Sequence, residues 1–242
     1  MSEPSQTPPM FEPNAAPVEH QPAFNVPGIV IAICAVLSIV HVLVQFIGTE
    51  TYLRVLSTFS FIPLAYHVPV DQLPVPLARW WSPFSYFFLH GDWVHLIANL
   101  VWFAAFGSAV ARRFSTGRFI VFMALATLAS AGAHFVFHPE SATPVIGASG
   151  AVSACMGAAA RFGFAPNSGT IHRPALTLVQ TFTNRSVMVF VVVWFAFNWV
   201  FGAGIVQLPG VEGQIAWEAH MGGFVFGLLL FPLFDATARG SP

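Results

Sequence analysis

Six stretches of about 20 residues, near 28–47, 93–111, 119–138, 146–164, 187–206 and 217–234, are dominated by apolar side chains. Polar residues fall mostly between them. A bilayer core of about 30 Å is crossed by about 20 residues of helix, so the pattern predicts six membrane-spanning α-helices. Two stretches are imperfect. The fourth is rich in Gly and Ala and opens on Gly147-Ala148-Ser149-Gly150, and the sixth contains His220 and three glycines. Small residues of this kind let helix backbones approach closely inside a bundle. Gly223 and Gly227 form a small-xxx-small pair, and Gly222 is expected to add to the same face. The expected fold is an all-α membrane protein, a six-transmembrane-helix bundle.

Outside the apolar stretches the chain divides simply. Residues 1–26 carry six prolines, three glutamates and neither Lys nor Arg, a composition that cannot bury a core and predicts a disordered tail. The missing basic residues match neither a secretory signal nor a mitochondrial presequence. Residues 27–236 form the expected membrane domain, with a long connection at about 48–92, and 237–242 a second short tail.

Composition sharpens this picture. The chain of 242 residues is 56% hydrophobic and 8% charged, against roughly 45–50% and 25% for a soluble domain. Ten acids and nine bases cannot coat a water-soluble globule of this size. With nine arginines, no lysine and a net charge of −1, no basic face is available for nucleic acid. Cys34 and Cys155 both lie in apolar runs and suggest neither a disulfide framework nor a zinc site. No metal is expected: His41, His67, His134 and His172 show no partner at ligand spacing, and His90 and His95 are five apart, off a shared helical face.

Six spans put both termini on one side. Arg112, Arg113, Arg118, Arg161, Arg173, Arg185 and Arg239 fall on that side, and Arg54 and Arg79 on the other. The bias predicts cytoplasmic termini and an external 48–92 loop. Its Trp80, Trp81, Phe84, Tyr86, Phe87 and Phe88 suit a membrane–water interface, so the loop is expected to lie partly in the outer leaflet.

Strongly polar side chains within spans are costly unless paired, and four stand out. His95 and Asn99 are spaced i, i+4 at the start of the second span, Ser149 opens the fourth, and His220 lies in the first turn of the sixth. The second, fourth and sixth spans run in the same direction. At about 1.5 Å per residue, all four side chains would lie at matched depth, about 5–10 Å below the external surface. A serine, a histidine able to accept its proton, and further hydrogen-bond donors are the components of acyl transfer. Ser149 is the candidate nucleophile and His220 the candidate base. His95, Asn99 and the Ser149 backbone N–H are candidate oxyanion donors, assisted by the free N–H groups at a helix start. No acidic partner for His220 is evident, since Glu218 is two residues away and off its face, so a Ser-His dyad is expected. Singly, such residues also serve as interhelical hydrogen-bond glue worth about 0.6–2 kcal/mol. A transporter with a polar midplane site would show pseudo-symmetric halves, and none is seen.

These residues carry a resemblance to a known family. His90-Gly-Asp-Trp-Val-His95-Leu-Ile-Ala-Asn99 resembles the H-x4-H-x3-N stretch of the rhomboid intramembrane serine proteases, Gly147-Ala-Ser149-Gly150 their G-x-S-G, and Ala219-His220-Met-Gly-Gly223-x3-Gly227 their A-H-x-x-G-x-x-x-G. The likeness covers about residues 80–234. It implies a rhomboid-like six-helix fold, Ser149 as nucleophile, His220 as base, and His95, Asn99 and the Ser149 backbone around the oxyanion. By the same match His90 would order the external loop through hydrogen bonds, while Trp194 and Trp199 resemble bulky residues of a mobile fifth helix at the lateral substrate gate. No cofactor is implied. Three positions depart from the family: Ser82 follows Trp81 where the family has Arg, Ala111 precedes Arg112-Arg113 where it has an acid, and Ser153 replaces an aromatic that supports the histidine ring.

The resemblance implies an endopeptidase acting on single-pass or multi-pass membrane protein substrates within the lipid bilayer, in a bacterial inner membrane. Substrates with weak helix formers near the external boundary are expected to unwind most readily. Small residues before the cut would suit a pocket framed by Gly147, Ala148 and Gly150. His138 and Ser141 could help hold the hydrolytic water. The alternative is a non-proteolytic rhomboid-like binder of transmembrane clients, against which Ser149 and His220 both speak.

Overall fold

The computed structural model describes residues 26–164, 174–205 and 215–235. The expected tails, apart from Val26, lie outside these residues, as do His172, Arg173 and Arg239.

The described chain is helical, with no extended strand among these residues. In order come α1 (Gly28–Gln45), α2 (Thr49–Phe59), α3 (Ala78–Ser85), α4 (Trp93–Ala111), α5 (Thr116–Phe137), α6 (Ser149–Ala160), α7 (Leu178–Thr183), α8 (Arg185–Gly202) and α9 (Trp217–Phe234). Five of these, α1, α4, α5, α8 and α9, are long and apolar enough to cross a membrane. In lipid only a helix satisfies all its own backbone groups, which is why the apolar runs and these helices coincide. Helix α4 contains a π-helical turn at Phe103–Gly107, and the Phe103 ring packs where a Cβ on Gly107 would stand.

The fourth predicted span is shorter than expected. Rather than covering 146–164, α6 has 12 residues, about 18 Å of helix. Two features set its limits. Gly147, at φ +114°, turns the chain directly before it, and after it the Arg161 guanidinium donates to the carbonyls of Leu176 (2.9 Å) and Leu228 (2.7 Å). Every residue from Gly150 to Ala160 is buried. A helix wrapped on all sides need not match the lipid thickness.

Helices α5 and α9 clasp α6 through glycines. A Cβ on Gly157 would strike the Phe224 carbonyl, one on Gly223 the Gly150 carbonyl, and one on Gly227 the Ala154 carbonyl. Gly222 faces elsewhere. It meets Ala133 and Ala129 of α5, so it does not extend the Gly223/Gly227 face as expected but opens a second one. Adjacent residues on a helix point about 100° apart, which lets α9 press against two helices at once.

The 48–92 connection docks on the bundle. Phe61 and Val145 exchange backbone hydrogen bonds (3.0 and 2.8 Å), Tyr86 Oη donates to the Thr127 carbonyl (2.9 Å), and Gly147 N–H donates to the Tyr86 carbonyl (2.9 Å). Its aromatics divide: Tyr86 and Phe87 are buried, while Trp80, Trp81, Phe84 and Phe88 remain exposed. Ser82 sits buried beside Tyr66 Oη (3.3 Å), and Arg79, three residues earlier, donates to the carbonyls of Ala65 and Val68 (3.2 Å each). Arg79 therefore braces the loop that lacks an arginine at position 82.

Candidate active site

The site is assembled at one end of the bundle, where α4, α6 and α9 all begin. Ser149 is the first residue of α6, displayed by the Gly147 turn. A positive φ of this size is strained for any residue with a Cβ, and a Cβ here would also stand 2.6 Å from His95 Nε2. Gly147 thus sets the direction of the serine and lets the His95 ring lie close beside it.

His220, in the first turn of α9, faces Ser149 across the Gly150–Gly223 contact. Its Nε2 lies 2.7 Å from Ser149 Oγ. The opposite nitrogen has a partner that the sequence reading did not find: Nδ1 lies 2.6 Å from Asn198 Oδ1, on α8. Asn198 is itself held, because its Nδ2 donates to the Trp194 carbonyl (2.8 Å) one turn back. With the amide nitrogen donating there, Oδ1 is the atom left to face the ring, and it can only accept. His220 must then donate from Nδ1, which leaves the Nε2 lone pair to accept the serine hydroxyl proton. A hydrogen-bonded chain, Ser149–His220–Asn198, therefore extends the expected Ser-His pair. A mid-span Asn one turn from Trp194 was visible in the sequence, but only the packing of α8 on α9 turns it toward the histidine.

The remaining predicted residues are placed less uniformly. His95 lies against Gly147, and its N–H is capped by the Asp92 carboxylate (2.7 Å), which starts α4 here. Asn99 is buried, with Nδ2 donating to the His95 carbonyl (2.9 Å), so one of its two amide hydrogens is already engaged within its own helix. Gly150 packs against Ser130. His138 and Ser141 are engaged elsewhere, His138 with Glu218 (2.9 Å) and Ser141 Oγ with the Thr143 N–H (3.2 Å). Trp194 stacks on Phe224 of α9 with ring centroids 4.2 Å apart, and Trp199 is half exposed.

His90 is buried, in reach of the Phe88 backbone. Its ring packs edge-on to His95 at 5.0 Å. Burial pushes its pKa down to about 3, with the neighbouring His95 and His41 acting the same way and the Phe88 backbone opposing. It is a neutral wall of the site.

A rhomboid-domain family model matches residues 77–235. The chain belongs to the rhomboid family. Among its relatives are the rhomboid proteases GlpG of Klebsiella pneumoniae strain 342, 30% identical over 153 residues, and of Pectobacterium atrosepticum, 28% identical over 212 residues. The first alignment covers 62% of this chain and 47% of the relative, the second 88% and 64%. The GlpG of Salmonella typhi is 27% identical over 202 residues, 83% of this chain and 61% of its own. The chain thus spans about half to just under two thirds of the length of these relatives. With its apolar helices, this rhomboid is an integral membrane protein.

Two of its departures from the family pattern find substitutes in the fold. Where the resemblance implies an aromatic supporting the histidine, Ser153 is buried within α6, and Asn198 holds the ring. Where an acid would precede Arg112-Arg113, Arg113 pairs instead with Asp235 at the end of α9, Nη2 to Oδ2 at 2.5 Å, both side chains almost wholly buried. The Arg113 guanidinium also lies over the Phe162 ring, 4.7 Å from its centroid.

His134, expected to lack a partner at ligand spacing, has two close neighbours in the fold. It stands one helical turn from His138, and Glu218, eighty residues on from His138, completes a cluster whose ligand atoms lie within 4.8 Å of one another.

Proposed function

We propose that this protein is an intramembrane serine endopeptidase that cuts membrane protein substrates within the bilayer, with Ser149 as nucleophile, His220 as general base and Asn198 as the residue that orients it. The 2.7 Å contact between Ser149 Oγ and His220 Nε2 carries the reading. As Oγ attacks the peptide carbonyl carbon, its proton passes to Nε2, and the negative charge collects on the former carbonyl oxygen. The Ser149 N–H has no acceptor within its own helix, because it lies in the first turn. Together with His95 and the second amide hydrogen of Asn99 it makes a donor set for that oxyanion, where loss of one donor costs about 3–4 kcal/mol. The imidazolium then protonates the departing amine and the C–N bond breaks. Water, deprotonated by the same Nε2, releases the acyl group from Ser149 and restores the hydroxyl.

Substrate would enter from the side. Helix α8 is the least buried of the five long apolar helices, and Trp194 closes the gap between α8 and α9 by its stack on Phe224. A helical segment must unwind before its carbonyls are open to attack, so segments weakened by Gly or Pro near the boundary are the favoured substrates. Arg112, Arg113, Arg118, Arg161 and Arg185 sit at the helix ends away from Ser149. By the positive-inside bias, the site faces the external side of a bacterial inner membrane and the termini the cytoplasm.

The test is labelling of detergent-solubilised protein with a fluorophosphonate, together with cleavage of a model transmembrane substrate. Wild type should label and cleave; Ser149→Ala and His220→Ala should do neither. Equal labelling of all three removes the protease reading.

A further inference from the structure

We propose that His134, His138 and Glu218 form a divalent transition-metal site of the zinc class, which staples the end of α5 to the start of α9. The site is independent of the protease reading, since none of the three residues acts on Ser149 or on a substrate carbonyl.

The three side chains come from two helices. His134 and His138 are spaced i, i+4 where α5 ends, and Glu218 projects from the first turn of α9. His138 Nε2 lies 2.9 Å from Glu218 Oε1, and His134 Nδ1 lies 3.6 Å from Glu218 Oε2. The imidazole rings are 5.0 Å apart. Tetrahedral zinc with bonds of about 2.0–2.1 Å sets its ligand atoms roughly 3.3 Å apart. The cluster's ligand atoms, within 4.8 Å of one another, lie near that spacing.

A second observation points to a ligand. His134 is 7% exposed, and among the described residues neither ring nitrogen makes a hydrogen bond within 3.5 Å, Nδ1 having only the Glu218 carboxylate at 3.6 Å. A buried polar group left so is expensive unless something binds it. The 3.6 Å separation from Glu218 is too long for a hydrogen bond and suitable for a shared cation between them. His138 is the exposed member, its side chain 46% accessible, and provides the route by which an ion enters.

Donor chemistry selects the metal. Two imidazoles and one carboxylate suit zinc and its neighbours in the transition series, whereas magnesium and calcium require a shell of oxygens. Three protein ligands leave a fourth position for water. A metal there would clamp Glu218, two residues before His220, to a helix that already packs against α9 through Gly222.

The experiment uses full-length protein, free of any histidine tag, stripped with chelator in detergent. Cobalt serves as the spectroscopic probe and zinc as the stabilising one. Wild type should take up one ion per chain, develop the visible absorption of tetrahedral cobalt, and melt at a higher temperature with zinc than with magnesium. His138→Ala, at the exposed ligand, should weaken binding by about tenfold or more and abolish the zinc-dependent shift while keeping its fold. His134→Ala and Glu218→Gln should do the same. His67→Gln, a histidine outside the cluster, should bind as wild type. Absence of uptake by the stripped wild type overturns the proposal, as does unchanged uptake by His138→Ala.

Discussion

His220 Nδ1 and Asn198 Oδ1 are 2.6 Å apart, and this contact joins helix α9 to the most exposed of the long helices, α8. Because Asn198 is fixed by the Trp194 carbonyl, it holds the imidazole in the one tautomer that leaves Nε2 ready for Ser149. Asn198→Leu should therefore lower kcat by about 100-fold, the scale expected when a reacting group is misplaced by about 1 Å, with KM little changed. Asn198→Asp keeps the acceptor and should recover most of that loss. Steady-state cleavage of a transmembrane substrate checks both; a leucine variant within threefold of wild type would remove Asn198 from the mechanism.

Gly147 and Gly227 should fail differently when substituted by alanine. Gly147→Ala forces a Cβ into a left-handed backbone and against His95, so activity should fall sharply with a stability loss of about 1–3 kcal/mol. Gly227→Ala drives a methyl into the Ala154 carbonyl, far along α9 from the site, and should act first on stability, by about 1–3 kcal/mol. Thermal unfolding and fluorophosphonate labelling of the same samples separate the two.

At the other end of the bundle, Arg113 and Asp235 form an ion pair with side chains 1% and 0% exposed. Removing one partner deletes a buried, charge-assisted contact. Asp235→Asn or Arg113→Met should each cost about 3–5 kcal/mol, and the double variant Arg113→Met/Asp235→Leu should be more stable than either single one. A double-mutant cycle on the thermal midpoints measures this, and strict additivity would show that the two charges do not depend on each other.

His90 supplies a pH dependence. Its folded pKa of about 3 lies below the ordinary 6.5, so the unfolded chain binds the proton more readily. Stability from this group is complete above about pH 6.5 and is lost as the pH falls through the window from 6.5 toward 3. His90→Phe, which keeps the ring but not the titration, should lose less stability than wild type between pH 7 and about 4.5. Parallel acid-unfolding curves for the two proteins would count against it.

The 12-residue α6 and the site at its start illustrate how far a sequence can be read and where it stops. Hydropathy located the five long helices closely because a membrane admits only backbone that satisfies itself, and that constraint acts on each segment alone. Ser149, His95, Asn99 and His220 were recognisable for a related reason: polar groups in apolar helices are costly enough to be conspicuous one by one. Helix α6 was overextended because lipid thickness does not govern a helix enclosed by protein.

What only the tertiary structure decided is which polar groups face one another. Asn198 with His220, Asp235 with Arg113, and Glu218 with His134 and His138 are pairings between different helices. None has a local signature, since each depends on the rotation and depth of two helices. Those are set by the glycine contacts of α9 on α5 and α6, where backbone meets backbone and a single Cβ would change the register.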